Sequence, residues 1–168
     1  ALGIRALVQH PNNKSQLIAV GSHDSNIRLL SSQSFTLCYT LTLSHPKDMH
    51  TSLVDDNREY FLVQENVPGN FTINNENPLK SNISFKRCNN KKLDSSTKTK
   101  GSGVNWIEFS STGRYIAGRD ESYPNCLWLW DLIDVKLHSV IVFNDSVTHS
   151  IWSRALDTLY VSIGTNHV

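Results

Sequence analysis

At 168 residues the chain is one ordinary domain by length. Its 39% hydrophobic and 18% charged residues fall below the globular averages of about 45–50% and 25%. Ser, Thr, Asn and Gln fill the shortfall, which excludes a coiled coil, and no apolar run approaches the roughly 20 residues of a membrane span.

The first 44 residues read as four short strands. Gly3-Ile4-Arg5-Ala6-Leu7-Val8-Gln9-His10-Pro11 opens the series, and Leu17-Ile18-Ala19-Val20-Gly21-Ser22 follows. Ile27-Arg28-Leu29-Leu30 comes after a turn holding Asp24, and Leu37-Cys38-Tyr39-Thr40-Leu41 closes it. Residues 45–100 differ in kind. Asn74-Asn75-Glu76-Asn77-Pro78, Asn89-Asn90-Lys91-Lys92 and Ser95-Ser96-Thr97-Lys98 carry too few large apolar groups to offset the entropy of ordering them. This stretch is expected to be a mostly disordered insertion, with strands only at Tyr60–Val63 and Ile83–Phe85. Within it, residues 80–100 hold seven bases and one acid, Asp94, although the whole chain has a net charge of only +1.

From residue 101 the first pattern returns. Val104-Asn105-Trp106-Ile107-Glu108-Phe109 leads to Tyr115-Ile116-Ala117-Gly118, then Leu127-Trp128-Leu129-Trp130-Asp131 and Leu137–Val142. A third copy starts at Val147 with Ile151-Trp152-Ser153 and Leu159-Tyr160-Val161-Ser162. Val104 to Val147 is 43 residues, inside the roughly 40–45 of a four-stranded propeller blade. Leu127 and Leu129 point one way from their strand and Trp128 and Trp130 the other, so both faces need cover, as in radially stacked sheets. No stretch of ten or more residues has the apolar spacing of a crossover helix. The expected fold is all-β, a β-propeller fragment of about two and a half four-stranded blades: 1–44, 101–145, and a truncated start of a further blade at 146–168. Ala1 in place of Met leads us to expect a piece of a longer chain.

Trp130-Asp131 at the end of a third strand, with Asp24 and Asp120 in the turns before third strands, resembles the WD repeat. The longer run Pro124-Asn125-Cys126-Leu127-Trp128-Leu129-Trp130-Asp131, together with the long insertion, resembles the WD-repeat-containing protein 8 family, centrosomal and spindle-pole proteins encoded antisense to p73. That resemblance implies a non-enzymatic scaffold in the cytoplasm and cytoskeleton, at the centrosome or spindle pole. It also implies a coiled-coil partner for anchoring microtubule minus ends, indirect association with tubulin, and roles in spindle organisation and cilium assembly. The chain departs from the pattern at Gln9, where the other repeats have Phe109 and Trp152, and at Leu30-Ser31, where Trp-Asp would stand.

Candidate sites follow from the residues. Asp24, Pro124, Asn125, Trp128, Trp130 and Asp131 read as structural, since buried indoles and carboxylates need packing and partners. The turn Asp120–Asn125 is expected to be rigid, because Pro124 fixes φ and Asn125 tolerates the left-handed region. It would present Arg119, Asp120, Glu121 and Tyr123 as a partner-binding rim, Tyr and Arg being frequent hot-spot residues; the plainer alternative is an ordinary solvated turn. The basic run 80–100 could meet acidic tubulin tails or be solvated disorder. With Phe85 as its one aromatic, it offers little for stacking nucleic-acid bases.

Seven histidines and three cysteines (Cys38, Cys88, Cys126) show no zinc or disulfide spacing, so a reducing, intracellular setting fits, with no metal, cofactor or membrane. The nearest cluster, His45, Asp48 and His50, sits beside a Pro-containing loop. The four Asn-x-Ser/Thr sequons are about as many as chance gives in so Asn- and Ser-rich a chain. Two other classes compete with the centrosomal reading: a generic WD-repeat adaptor of a ubiquitin ligase or chromatin complex, and an enzyme carrying a propeller.

Overall fold

The computed structural model describes residues 3–43, 61–67, 70–74 and 103–164. Among them are twelve strands and no helix. The first sheet runs β1 (Ile4–Gln9), β2 (Leu17–Ser22), β3 (Asn26–Ser31) and β4 (Leu37–Thr42), each antiparallel to the next. The second holds β7 (Val104–Phe109), β8 (Tyr115–Asp120), β9 (Cys126–Asp131) and β10 (Lys136–Val142) in the same order. Strands β11 (Val147–Trp152) and β12 (Leu159–Ile163) form a third. The chains starting at Val104 and Val147 thus enter different sheets, as successive blades require.

The sheets are copies down to their irregularities. In β1, β7 and β11 the register slips by one residue at the same place, leaving Arg5, Asn105 and Thr148 as bulges. In the fourth strands the bulged residues are Cys38 and His138. The repeat is offset by 100 residues at both places.

Blade two is packed on both faces. One apolar cluster joins Ala19, Ile27, Leu29 and Leu41 of the first sheet to Ile107, Ile116, Trp128 and Trp130 of the second. The other joins Ala117 and Leu127 to Val147 and Trp152 of the third, with Leu129 against it. The alternation of Leu and Trp in β9 therefore serves two neighbours, as the sequence suggests. Strand β7 packs against β1 and β2 on one side and β11 on the other, which places the three first strands next to one another.

Within the stretch 45–100 the structure describes residues 61–67 and 70–74. Two antiparallel strands stand there, β5 (Phe61–Val67) and β6 (Asn70–Asn74), and β5 lies parallel to β10 on the outer edge of blade two. The strand expected at Tyr60–Val63 overlaps β5; Ile83–Phe85, the basic run 80–100 and the cluster His45, Asp48, His50 lie outside the described residues. Glu65 explains why the rest of β5 is hard to foresee. It is 1% exposed, and its Oε2 accepts the backbone N–H of Asn144 at 3.1 Å. A charged residue reads as solvent-facing in a sequence, whereas here a fixed backbone donor holds it inside.

Candidate partner-binding rim

The β8–β9 turn is built by local hydrogen bonds. Tyr123 N donates to Asp120 O and Cys126 N to Tyr123 O, both at 3.0 Å. Asp120 Oδ1 accepts Ser122 N at 2.7 Å. Asp120 is the last residue of β8, opposite Val104, and matches Ser22 of blade one, opposite Ile4. It is therefore not the counterpart of Asp24, which lies in the turn. The turn of blade two is two residues longer, and the preceding β7–β8 turn two residues shorter, so matching the two Asp residues by eye sets the wrong register.

Asn125 also differs from expectation. Among the described non-glycine residues positive φ occurs at Gln16, Ser25, Phe35 and Val135, and not at Asn125. Its amide is buried instead, and Nδ2 donates to Phe143 O at 3.1 Å. Pro124 O accepts Val147 N at 2.8 Å, so the turn is tied to the start of the third sheet.

The four rim residues divide by what they touch. Glu121 pairs with Arg5 of blade one, Oε2 to Nη1, at 2.7 Å. Arg119 reaches the other way: Nη1 donates to Val147 O at 3.0 Å, and the guanidinium stands 5.3 Å from the Trp106 ring centroid. Burial lowers its pKa from the ordinary arginine value. Asp120 is 1% exposed, and its Oδ2 finds no hydrogen-bond partner among the described residues. Tyr123 leans on Trp128 with centroids 5.9 Å apart. The geometry thus joins these residues to the seams between sheets, and Glu121 and Tyr123 keep part of their surface in solvent.

Asp24 anchors the equivalent end of blade one. It accepts from Arg28 Nη1 at 3.2 Å, pairs with Arg28 Nη2, and takes hydrogen bonds from Ser22 Oγ and Asn26 N. The Arg28 hydrogen bond foremost holds its carboxyl far below the usual range, against a smaller opposing effect of burial. At the opposite end of blade two, Asp131 Oδ2 accepts Arg114 Nη2 at 2.8 Å and Nε at 3.1 Å. Trp128 and Trp130 are buried in the first seam. Of the structural motif residues, Asp24, Pro124 and Asn125 lie in turns and Trp128, Trp130 and Asp131 in β9.

Sequence reasoning missed other seam residues. His10 Nδ1 accepts Asn12 N at 3.0 Å and leaves Nε2–H to donate to Gly113 O of blade two at 3.1 Å, with the ring edge-on to Phe109. Asp157 of the third sheet accepts Thr112 Oγ1 at 2.6 Å, Thr112 N at 3.2 Å and Ser111 Oγ at 3.2 Å. Only the placement of His10 beside Pro11 hinted at a turn; nothing marked Asp157. Among the described residues no group of three His, Cys, Asp or Glu is placed to hold a metal, and no helix is long and apolar enough to cross a membrane.

No family model matches the chain. The mouse WD repeat-containing protein WRAP73 aligns with all of it at 23% identity over 177 residues. Over its whole length the chain is thus similar to a WD-repeat protein. An uncharacterized WD repeat-containing protein of Schizosaccharomyces pombe matches a third of it, 34% identical over 55 residues. The solved structure of U3-55K, a WD-repeat propeller, superposes on 95% of the chain with a TM-score of 0.52 at 17% identity. The chain spans 38% of the mouse relative and 33% of U3-55K, and its fold is a partial propeller.

Proposed function

We propose that the chain belongs to a non-enzymatic scaffold that anchors microtubule minus ends and organises the mitotic spindle at the centrosome or spindle pole, and that serves cilium assembly in ciliated cells. The observation that carries this reading is the alignment of the whole chain with WRAP73. It agrees with the resemblance that the run Pro124–Asp131 bears to the WD-repeat-containing protein 8 family. Its partner in this reading is a coiled-coil microtubule-anchoring protein, with tubulin met indirectly. The division into blade (1–44), insertion (45–100), blade (101–145) and the start of a further blade (146–168) belongs to the same proposal.

The rim Arg119, Asp120, Glu121 and Tyr123 is the proposed contact. Arg119 and Asp120 set the turn from within, and Glu121 and Tyr123 meet the partner. Tyr123→Ala is expected to weaken co-purification of the coiled-coil partner while the fold is kept; unchanged co-purification would remove the rim from the proposal. Imaging of the tagged full-length protein tests the wider reading. Signal at spindle poles supports it, and a diffuse nuclear signal would favour an adaptor of a ubiquitin ligase or chromatin complex instead.

A further inference from the structure

Blade two shows what its outer edge can take. Strand β5 lies parallel to β10 with Ser139, Val140, Ile141 and Val142 opposite Phe61, Leu62, Val63 and Gln64, starting immediately past the His138 bulge. Blade one has the same edge. Cys38 is the bulge there, and Tyr39, Thr40, Leu41 and Thr42 pair with β3 in the register that Ser139–Val142 keep with β9. Among the described residues, however, β4 is the last strand of its sheet.

Among the described residues nothing covers this edge, and it lacks the usual protection. Leu37–Thr42 reads Leu-Cys-Tyr-Thr-Leu-Thr, with no charge and no proline. Leu37 is 57% and Tyr39 50% exposed, whereas Ser139, the counterpart of Tyr39, is 3% exposed. A strand edge of this kind is a template for another chain unless charge, proline or a covering strand blocks it. Its row of free backbone groups supplies affinity, and the alternating side chains supply selectivity.

We propose that the outer edge of β4 docks an extended segment of a partner protein, running parallel to β4 along Tyr39–Thr42. The segment is uncharged and rich in aromatic and aliphatic residues, like Phe61-Leu62-Val63-Gln64 on blade two. The proposal rests on the reading of the chain as an interaction scaffold, but localisation does not test β4, so the two can fail separately.

Cys38 is exposed at the start of this edge and reports on direction. Cys126 is buried, its thiol pushed up to about 12, and does not compete. Cys88 is removed as Cys88→Ser. The probe is a synthetic peptide of residues 60–67 with Glu65→Gln, bearing a thiopyridyl-activated Cys in place of either Tyr60 or Val67. In the parallel register the first places its sulfur level with Cys38, and the second lies about 23 Å away at some 3.3 Å per residue. Attack by the Cys38 thiol forms the new disulfide and releases thiopyridone, a step that mass spectrometry follows.

The first peptide is expected to label Cys38 about tenfold faster or more than the second, because docking raises the local concentration of the reacting sulfur. The double variant Leu37→Lys/Tyr39→Lys, at exposed sites that leave circular dichroism unchanged, is expected to abolish the difference. Equal rates for the two peptides, a reversed preference, or a difference that survives the lysines would each overturn the proposal. So would a Cys38-linked dimer of this chain that excludes the peptide, since the occupant would then be a second copy.

Discussion

The two seams of blade two are sealed by different means. Against blade one, the backbones approach closely at glycines. A Cβ at Gly21 would stand 2.7 Å from Val104 Cγ1, and one at Gly118 would stand 2.6 Å from Ile27 Cδ1. Gly113 has φ +76 and lies under the His10 ring, so neither its backbone nor its surroundings admit a side chain. Behind these contacts lies the larger apolar cluster, with Trp128 and Trp130. Against the third sheet the apolar cluster is smaller, and polar ties do more. Glu108 takes Trp152 N on Oε2 at 3.1 Å and Trp152 Nε1 on its carbonyl at 3.2 Å, Arg119 reaches Val147 O, and Asp157 holds the Ser111–Thr112 turn. Close apolar packing tolerates little change in volume, whereas exposed hydrogen bonds can be exchanged with water at small cost.

The comparison predicts an ordered set of effects. Trp128→Ala removes the largest fully buried side chain from the first seam. It should destabilise the intact protein by about 3–5 kcal/mol, read as a fall in denaturation midpoint. Gly118→Val places atoms where Ile27 already lies, and a loss of about 1–3 kcal/mol is expected from overpacking. Ile27→Ala in that background should recover part of it, because the clash partner is a side-chain end. An absence of rescue would mean that strand β8 cannot accept the Cβ for reasons other than this seam.

Much of this was legible from residue order. The two-faced β9, the 43-residue spacing and the return of the blade-one pattern at Val104 gave the architecture, because each depends on large apolar side chains at short range. What escaped were positions set by small changes in turn length and by buried polar groups. The two-residue exchange between the turns of blade two hid the match of Asp120 with Ser22. Asn125 looked like a left-handed turn residue, yet its amide is spent on Phe143 O, a bond between segments 18 residues apart. His10 and Asp157 act across seams, and a single sequence carries no sign of which turns meet there.

His10 gives the third effect. His10→Ala removes the donor to Gly113 O and the ring packed on Phe109, and a loss of about 1–3 kcal/mol is expected from the orphaned buried groups. His10→Gln, which can still donate at that distance, should recover some of it. If both variants unfold at the same denaturant concentration as the parent, the ring is not a seam contact.

The smallest effect belongs to the second seam. Asp157 has its carboxyl pushed up by desolvation but, in balance, lowered by hydrogen bonds from Thr112, Ser110 and Ser111. A carboxyl lowered in the folded state contributes stability above the unfolded value of about 3.9 and loses it as pH falls through the folded value. Asp24, held lower still by Arg28, obeys the same sign in blade one. Asp157→Asn keeps the shape and should cost under about 1 kcal/mol at neutral pH, as exposed polar ties do. Its stability should also fall less steeply than the parent's below pH 4. A steeper fall than the parent's would place the acid-sensitive tie elsewhere and leave the second seam to its apolar cluster alone.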